Sequence, residues 1–198
     1  MRFLSLLAGL AVLAALTAPA KAEPIAFSAD TFEIIGGMNA EQPRTRRSTY
    51  KGKELVDFTT TMTPGSIVIR TSERKLYYVL ADGRAIQYGI GVGREGFTWS
   101  GTDKITRKAK WPDWRPPKEM IEREAQRGNY IPVHMVGGPE NPLGARALYI
   151  GSTMYRIHGT NQPWSIGLAV SSGCIRLLNE EVIDLFNRVE VGAQVVVE

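Results

Sequence analysis

The chain holds 198 residues, with 24 lysines and arginines against 20 aspartates and glutamates, and 43% of it is hydrophobic. That is enough for one domain with a sizeable core, and a net charge of +4 is too mild to require an acidic partner. With one cysteine, Cys174, and two histidines, His134 and His158, there is no internal disulfide framework and no metal-ligand cluster of recognised spacing. Neither a metal nor another cofactor is therefore expected. No basic helix or aromatic-interleaved basic sheet offers itself to nucleic acid, and no internal repeat is visible.

Residues 1–22 read as a secretory signal peptide: Arg2 gives the positive start, Phe3 to Leu16 an apolar run, and Ala20-Lys21-Ala22 an A-x-A cleavage site. The run is shorter than the roughly 20 residues of a spanning helix. Export to the periplasm is expected, with a mature chain of about +2 after loss of Arg2 and Lys21. An oxidising compartment favours disulfides, so a lone thiol there is expected to be reactive. Residues 23–63 read as a lead-in or linker. Gly36-Gly37, Pro43 and the cluster Arg44, Arg46 and Arg47 read as irregular and solvated. Glu54 to Thr59 adds an edge strand.

The main domain is expected over 64–198. Ser66 to Arg70 and Lys75 to Leu80 read as strands, Asp82-Gly83 as a two-residue hairpin turn, and Ala85 to Val92 as the returning strand. The glycine-rich stretch from Gly93 to Gly101 lacks the lysine and hydroxyl residue of a phosphate-cradling loop. Lys104 to Lys108 is a further strand. Trp111-Pro112-Asp113-Trp114-Arg115-Pro116-Pro117 is a loop, because proline removes ladder donors, and Lys118 to Gln126 supplies one or two helical turns. This loop is either a binding element or a cover for the core. Gly137 to Gly144 is rich in turn residues. Leu148 to Ile150 and Met154 to His158 form strands joined across Gly151-Ser152, a glycine-first hairpin turn. After Cys174, Asn179 is placed to cap a helix, Glu180 and Glu181 favour its positive end, and Val182, Leu185, Phe186 and Val189 share one apolar face. Val195 to Val197 closes the chain as a strand. Many short strands and little helix predict a mostly-β, sandwich-like domain.

The chemistry concentrates between Tyr155 and Leu178. A thiol becomes a strong nucleophile when a base takes its proton or an imidazolium stabilises its thiolate. Cys174 and His158 have ordinary pKa values close enough to exchange a proton near neutrality. Gly159 and Gly173 flank them and let backbone groups approach a substrate. The amides of Ser172, Gly173 and Cys174 are candidate donors to a developing oxyanion. His134 is the only rival base.

His158-Gly159-Thr160 followed by Ser171-Ser172-Gly173-Cys174-Ile175-Arg176 resembles the signature of the L,D-transpeptidases, the YkuD-domain enzymes of bacterial cell walls. The resemblance extends from Pro64 to Val197 and includes Gly137-Gly138-Pro139 and Asn141-Pro142-Leu143-Gly144. Two positions depart from the family pattern: Ser172 stands where most members have a second histidine, and Trp99 replaces the proline of a Thr-Pro-x-Gly turn. The resemblance implies a YkuD β-sandwich-like fold with one or two short helices. It also implies Cys174 as nucleophile and His158 as general base and acid, oriented by the Gly159 carbonyl. Arg176 is either a carboxylate clamp for the substrate or a brace of the active-site loop, and the Trp111–Trp114 loop would wall the cleft. The implied substrates are peptidoglycan stem peptides, acylated onto Cys174 with loss of a terminal D-alanine. The acceptor is a second stem, an amine of an outer-membrane protein, or water; the last would make the protein an L,D-carboxypeptidase or endopeptidase. A wall-binding protein with a dead site is the remaining alternative, disfavoured by the presence of both Cys174 and His158. A monomer is expected.

Overall fold

The computed structural model describes residues 26–27, 34–35, 50, 52–94 and 99–198. The expected signal peptide, the Arg44–Arg47 cluster and residues 95–98 of the glycine-rich stretch lie outside the described residues. The first two strands, β1 (Ala26–Phe27) and β2 (Ile34–Ile35), form a short antiparallel ladder of their own.

β4 (Ile67–Arg70), β5 (Lys75–Val79) and β6 (Arg84–Gly89) form an antiparallel meander, and β3 (Glu54–Asp57) pairs with β6 at the outer edge of the sheet, as expected. β5 and β6 pair Val79 with Ala85, and Leu80 donates to the Arg84 carbonyl (2.8 Å), so the reversal spans residues 81–83 and is not the expected two-residue turn; within it Asp82 and Gly83 take φ of 61° and 67°, the left-handed conformation that the dipeptide favours. β7 (Val92–Gly93) follows, then β8 (Gly101–Lys110), longer than Lys104 to Lys108. α1 (Lys118–Gln126) lies where the sequence puts it. β9 (Arg146–Ile150), β10 (Arg156–His158), a 3-10 turn at Pro163–Ser165, β11 (Ala169–Ser171), β12 (Ile175–Arg176), α2 (Asn179–Arg188) and β13 (Gln194–Val197) complete the chain.

Nine strands join in the order β12-β10-β9-β8-β13-β4-β5-β6-β3. β8 is the corner. Its first half, Gly101 to Lys104, pairs with β13, and its second half, from Ile105 to Lys110, pairs with β9 across a register irregularity between Ile105 and Arg107. Such a break bends a strand and lets it serve two sheets. The two halves enclose a core of Ile67, Ile69, Leu76, Tyr88, Ile90, Ile105, Leu148, Ile150, Ile157, Val195 and Val197. Alternation along β4 sends Val68 the other way, into a second cluster with Phe58, Tyr77, Val79 and Ala85. α2 closes the main core with Val182, Leu185, Phe186 and Val189, the predicted apolar face.

Two further local expectations change. β9 and β10 pair Tyr149 with Arg156, so residues 150–155 form the connection and Gly151-Ser152 is not a two-residue hairpin. Gly151 donates its N–H to the Lys104 carbonyl (2.8 Å) at φ 56°, and a Cβ there would land on the Asp103 carboxylate. Backbone docking against β8 chose this turn. Asn179 does not cap α2, whose N-cap is Leu178 without a side-chain bond; its amide is used elsewhere.

The loop after β8 folds around Trp114, Ile131 and Leu143, with Met120, Ile121 and Met135 packed alongside. Trp114 is therefore a core residue of the loop, whereas Trp111 is 44% exposed.

Candidate active site

Cys174 lies between β11 and β12, in a turn closed by Ser171. The Ser171 hydroxyl donates to the Cys174 carbonyl (2.6 Å) and accepts from the Gly173 N–H (3.1 Å). Gly173 takes φ 110°, a conformation that side chains disfavour. The segment 90–94 supports this loop: Gly91 exchanges both backbone bonds with Arg176 (2.9 and 3.0 Å), Val92 donates to Leu168, and Arg94 donates to Ser171. The Cys174 Sγ is partly exposed and lies 3.9 Å from the Met154 carbonyl oxygen.

His158 ends β10. β10 runs parallel to β12 with Ile157 opposite Ile175 and His158 opposite Arg176. Cys174 is two positions before Arg176, so strand alternation gives it the parity of His158 and Arg176, opposite to the core residues Ile157 and Ile175. The His158 Nδ1–H donates to the Gly159 carbonyl at 2.5 Å. A carbonyl only accepts, so this bond fixes the tautomer and leaves Nε2 as the basic nitrogen. His158 is 1% exposed. Burial, then the Arg176 charge, push its pKa from 6.5 to about 3; the Gly159 carbonyl opposes this and Arg156 adds to it. The resting imidazole is therefore neutral with Nε2 unprotonated, and the same burial and charge weaken it as a base.

Asn179 is the residue that sequence reasoning misread. Its Oδ1 accepts the Ala145 N–H (2.9 Å) and its Nδ2 donates to the Thr160 carbonyl (3.0 Å). It thereby ties the Trp111–Gly144 loop to the turn after His158. Cβ atoms at Gly144, at φ 62°, and at Gly159 would both land on its Oδ1. Two glycines converging on one amide was a signal hidden by their separation in sequence. Asn161 adds a second tie, donating to the Glu140 carbonyl (3.0 Å).

The other expected residues divide. Ser172 Oγ is buried without a hydrogen-bond partner. The Gly173 N–H is already donated to Ser171, which leaves the Ser172 and Cys174 amides as the better oxyanion candidates. Arg176 is 0% exposed, and its backbone is bonded on both sides to Gly91. His134 stands apart: its Nε2 faces the Asp113 Oδ2 at 2.9 Å, while Asp113 Oδ1 accepts the Gly137 N–H (3.0 Å). Trp99, at the family's proline position, stacks on Tyr155 at 5.8 Å. Among the described residues, no cluster of three or more His, Cys, Asp or Glu could hold a metal, and no helix is long and apolar enough to cross a membrane.

A bent mostly-β sheet carrying a buried histidine beside a loop cysteine defines the class: a β domain with a candidate cysteine–histidine site. The sequence profile of the L,D-transpeptidase catalytic domain, YkuD, matches residues 64–197, and the chain belongs to that family. It is 42% identical over 134 residues to the probable L,D-transpeptidase YbiS of Escherichia coli (strain K12), covering 65% of this chain and 43% of that protein. It is 40% identical over 134 residues to the probable L,D-transpeptidase ErfK/SrfK of the same strain, covering 65% and 42%. The matched region thus spans about four-tenths of those curated relatives. Among solved structures, L,D-transpeptidase 3 from Mycobacterium tuberculosis superposes with a TM-score of 0.50 at 17% identity, over 67% of this chain and 60% of that one. An Enterococcus faecium L,D-transpeptidase gives 0.51 at 16%, over 69% and 50%. At these identities the likeness is one of fold.

Proposed function

We propose that this chain is a periplasmic cysteine L,D-transpeptidase that acts on peptidoglycan stem peptides through a thioacyl-enzyme. The observation that carries the reading is the fixed tautomer of His158, whose Nδ1–H is held by the Gly159 carbonyl on a strand paired with the one leading from Cys174. In this reading Nε2 takes the thiol proton as Sγ attacks the carbonyl of the third stem residue. The Ser172 and Cys174 amides receive the oxyanion. The protonated His158 returns its proton to the departing D-alanine amine, leaving a thioester on Cys174. An incoming amine, from a second stem or from a wall-attached protein, then gives up its proton to Nε2 and displaces the thiol.

The test incubates the exported form with a tetrapeptide stem fragment, with and without a free-amine acceptor, and reads the products by mass. A new amide product, absent with Cys174→Ala, supports transpeptidation. Release of tripeptide alone, even with acceptor, reassigns the protein as a hydrolase. Unchanged substrate with wild-type protein contradicts the reading.

A further inference from the structure

Three strands next to the candidate site carry a row of residues that the mechanism leaves unused. Arg107 on β8 pairs in register with Tyr149 on β9, and Tyr149 pairs with Arg156 on β10. Extending the β10–β12 register by one step, from Ile157 opposite Ile175, brings Arg156 opposite Cys174. The row therefore runs across the sheet and ends at Cys174. Its parity is that of His158 and opposite to the core residues Leu148, Ile150 and Ile157.

The two guanidinium groups converge on one ring. Arg107 Cζ lies 3.5 Å from the Tyr149 ring centroid and Arg156 Cζ lies 5.4 Å from it. A ring face orders a guanidinium without using its N–H donors. Neither arginine has an ion-pair partner among the described residues, and the buried Arg156 Nε has no hydrogen-bond partner. Arg156 is close enough to the site for its charge to act on His158. Arginines held in this way, with donors unspent, suit a carboxylate. Arg176, the arginine that sequence reasoning put forward as a clamp, is wholly buried and cannot do this at the surface.

We infer that Arg156 and Arg107, ordered on Tyr149, form a subsite that binds a carboxylate of the peptide substrate beside the scissile carbonyl. The inference rests on the proposed stem-peptide reading. Two carboxylates of such a peptide have this chemistry: that of the terminal D-alanine, and the second carboxylate of a diamino acid at the third position. Arg156, nearer the thiol, contributes more than Arg107.

The experiment compares wild type with Arg156→Gln, Arg107→Gln and the double variant on three tetrapeptides: the diamino-acid form, its C-terminal amide, and an analogue with lysine at position three. On the diamino-acid peptide, loss of a charge-assisted bond predicts about a tenfold or greater fall in kcat/KM for Arg156→Gln, carried mostly by KM. One of the two carboxylate-lacking peptides should be poor with wild type and no poorer with the variants, and which one identifies the carboxylate. Equal losses on all three peptides, or no loss on any, overturn the subsite. Alkylation of Cys174 by neutral iodoacetamide reports whether a variant retains a competent thiol. Binding of the diamino-acid peptide to Cys174→Ala, measured by calorimetry with and without Arg156→Gln, separates the two ideas. Arginine-dependent binding without turnover in the wild type sinks the transpeptidase reading and keeps the subsite. Binding that ignores Arg156, or no binding at all, sinks the subsite.

Discussion

Burial of an uncharged His158 should make the fold sensitive to acid. The unfolded chain takes up the imidazole proton near 6.5, whereas the folded chain resists it down to about 3. Because the folded value is depressed, the unfolded state binds more protons throughout that interval. Stability is therefore lost as pH falls, at up to about 1.4 kcal/mol per pH unit. From neutrality to about pH 4.5 the loss from this one group is about 2.5 kcal/mol, a large share of the ~5–15 kcal/mol that holds a typical domain. His158→Gln removes the titration while keeping an amide able to donate to Gly159. Other titrating groups act in both proteins and cancel in the difference: Glu181 is raised by burial, and Asp184 is lowered by Arg188, Lys53 and Tyr88 against the opposing effect of its burial. Urea unfolding of the two proteins at both pH values isolates the effect, with wild type expected to lose about 2–3 kcal/mol more than the variant. If both lose the same amount, His158 is not held neutral by burial, and the account of its resting state is wrong.

Three further outcomes follow from the site. His158→Ala should slow iodoacetamide alkylation of Cys174 by about 10² or more, the usual worth of a general base. His134→Ala should change it far less, since His134 is engaged by Asp113; the reverse pattern across pH would move the base to His134. Asn179→Ala leaves the Ala145 N–H and Thr160 carbonyl without their partner, so thermal unfolding should show a loss of about 1–3 kcal/mol; an unchanged melting curve would remove Asn179 from the frame of the site. Gly144→Ala, at φ 62° with its Cβ 2.5 Å from the Thr160 nitrogen, should destabilise by more than about 1 kcal/mol, and a neutral result in the same melt would show that the turn relaxes freely.

Much of the fold was legible because short-range rules decided it. The left-handed preference of Asp82-Gly83 put a chain reversal between β5 and β6, the apolar spacing of Val182, Leu185, Phe186 and Val189 fixed α2, and the prolines before Lys118 fixed where α1 starts. What stayed hidden was long-range. β8 reads as an ordinary strand, and only its two different partners reveal it as the corner of the sheet. Gly151 looks like a hairpin glycine, but it is glycine because Asp103 fills the space a side chain would need. Asn179 carries a helix-cap signature, yet Ala145 and Thr160, more than a dozen residues upstream, claim its amide. In the site, the flanking motif made Cys174 and His158 readable. The Ser171–Gly173 bond and the Arg107–Tyr149–Arg156 row depend on register, which spacing along the chain does not reveal.

The central claim, that Cys174 is an acyl-accepting nucleophile activated by His158, is tested most directly by acylation with a carbapenem, whose strained cyclic amide resembles the acyl donor. Intact mass and peptide mapping of the treated protein should show a single adduct, on Cys174, absent from Cys174→Ala and formed at least about 10²-fold more slowly by His158→Gln. An adduct on any other residue, or none after long incubation of wild-type protein, would contradict it.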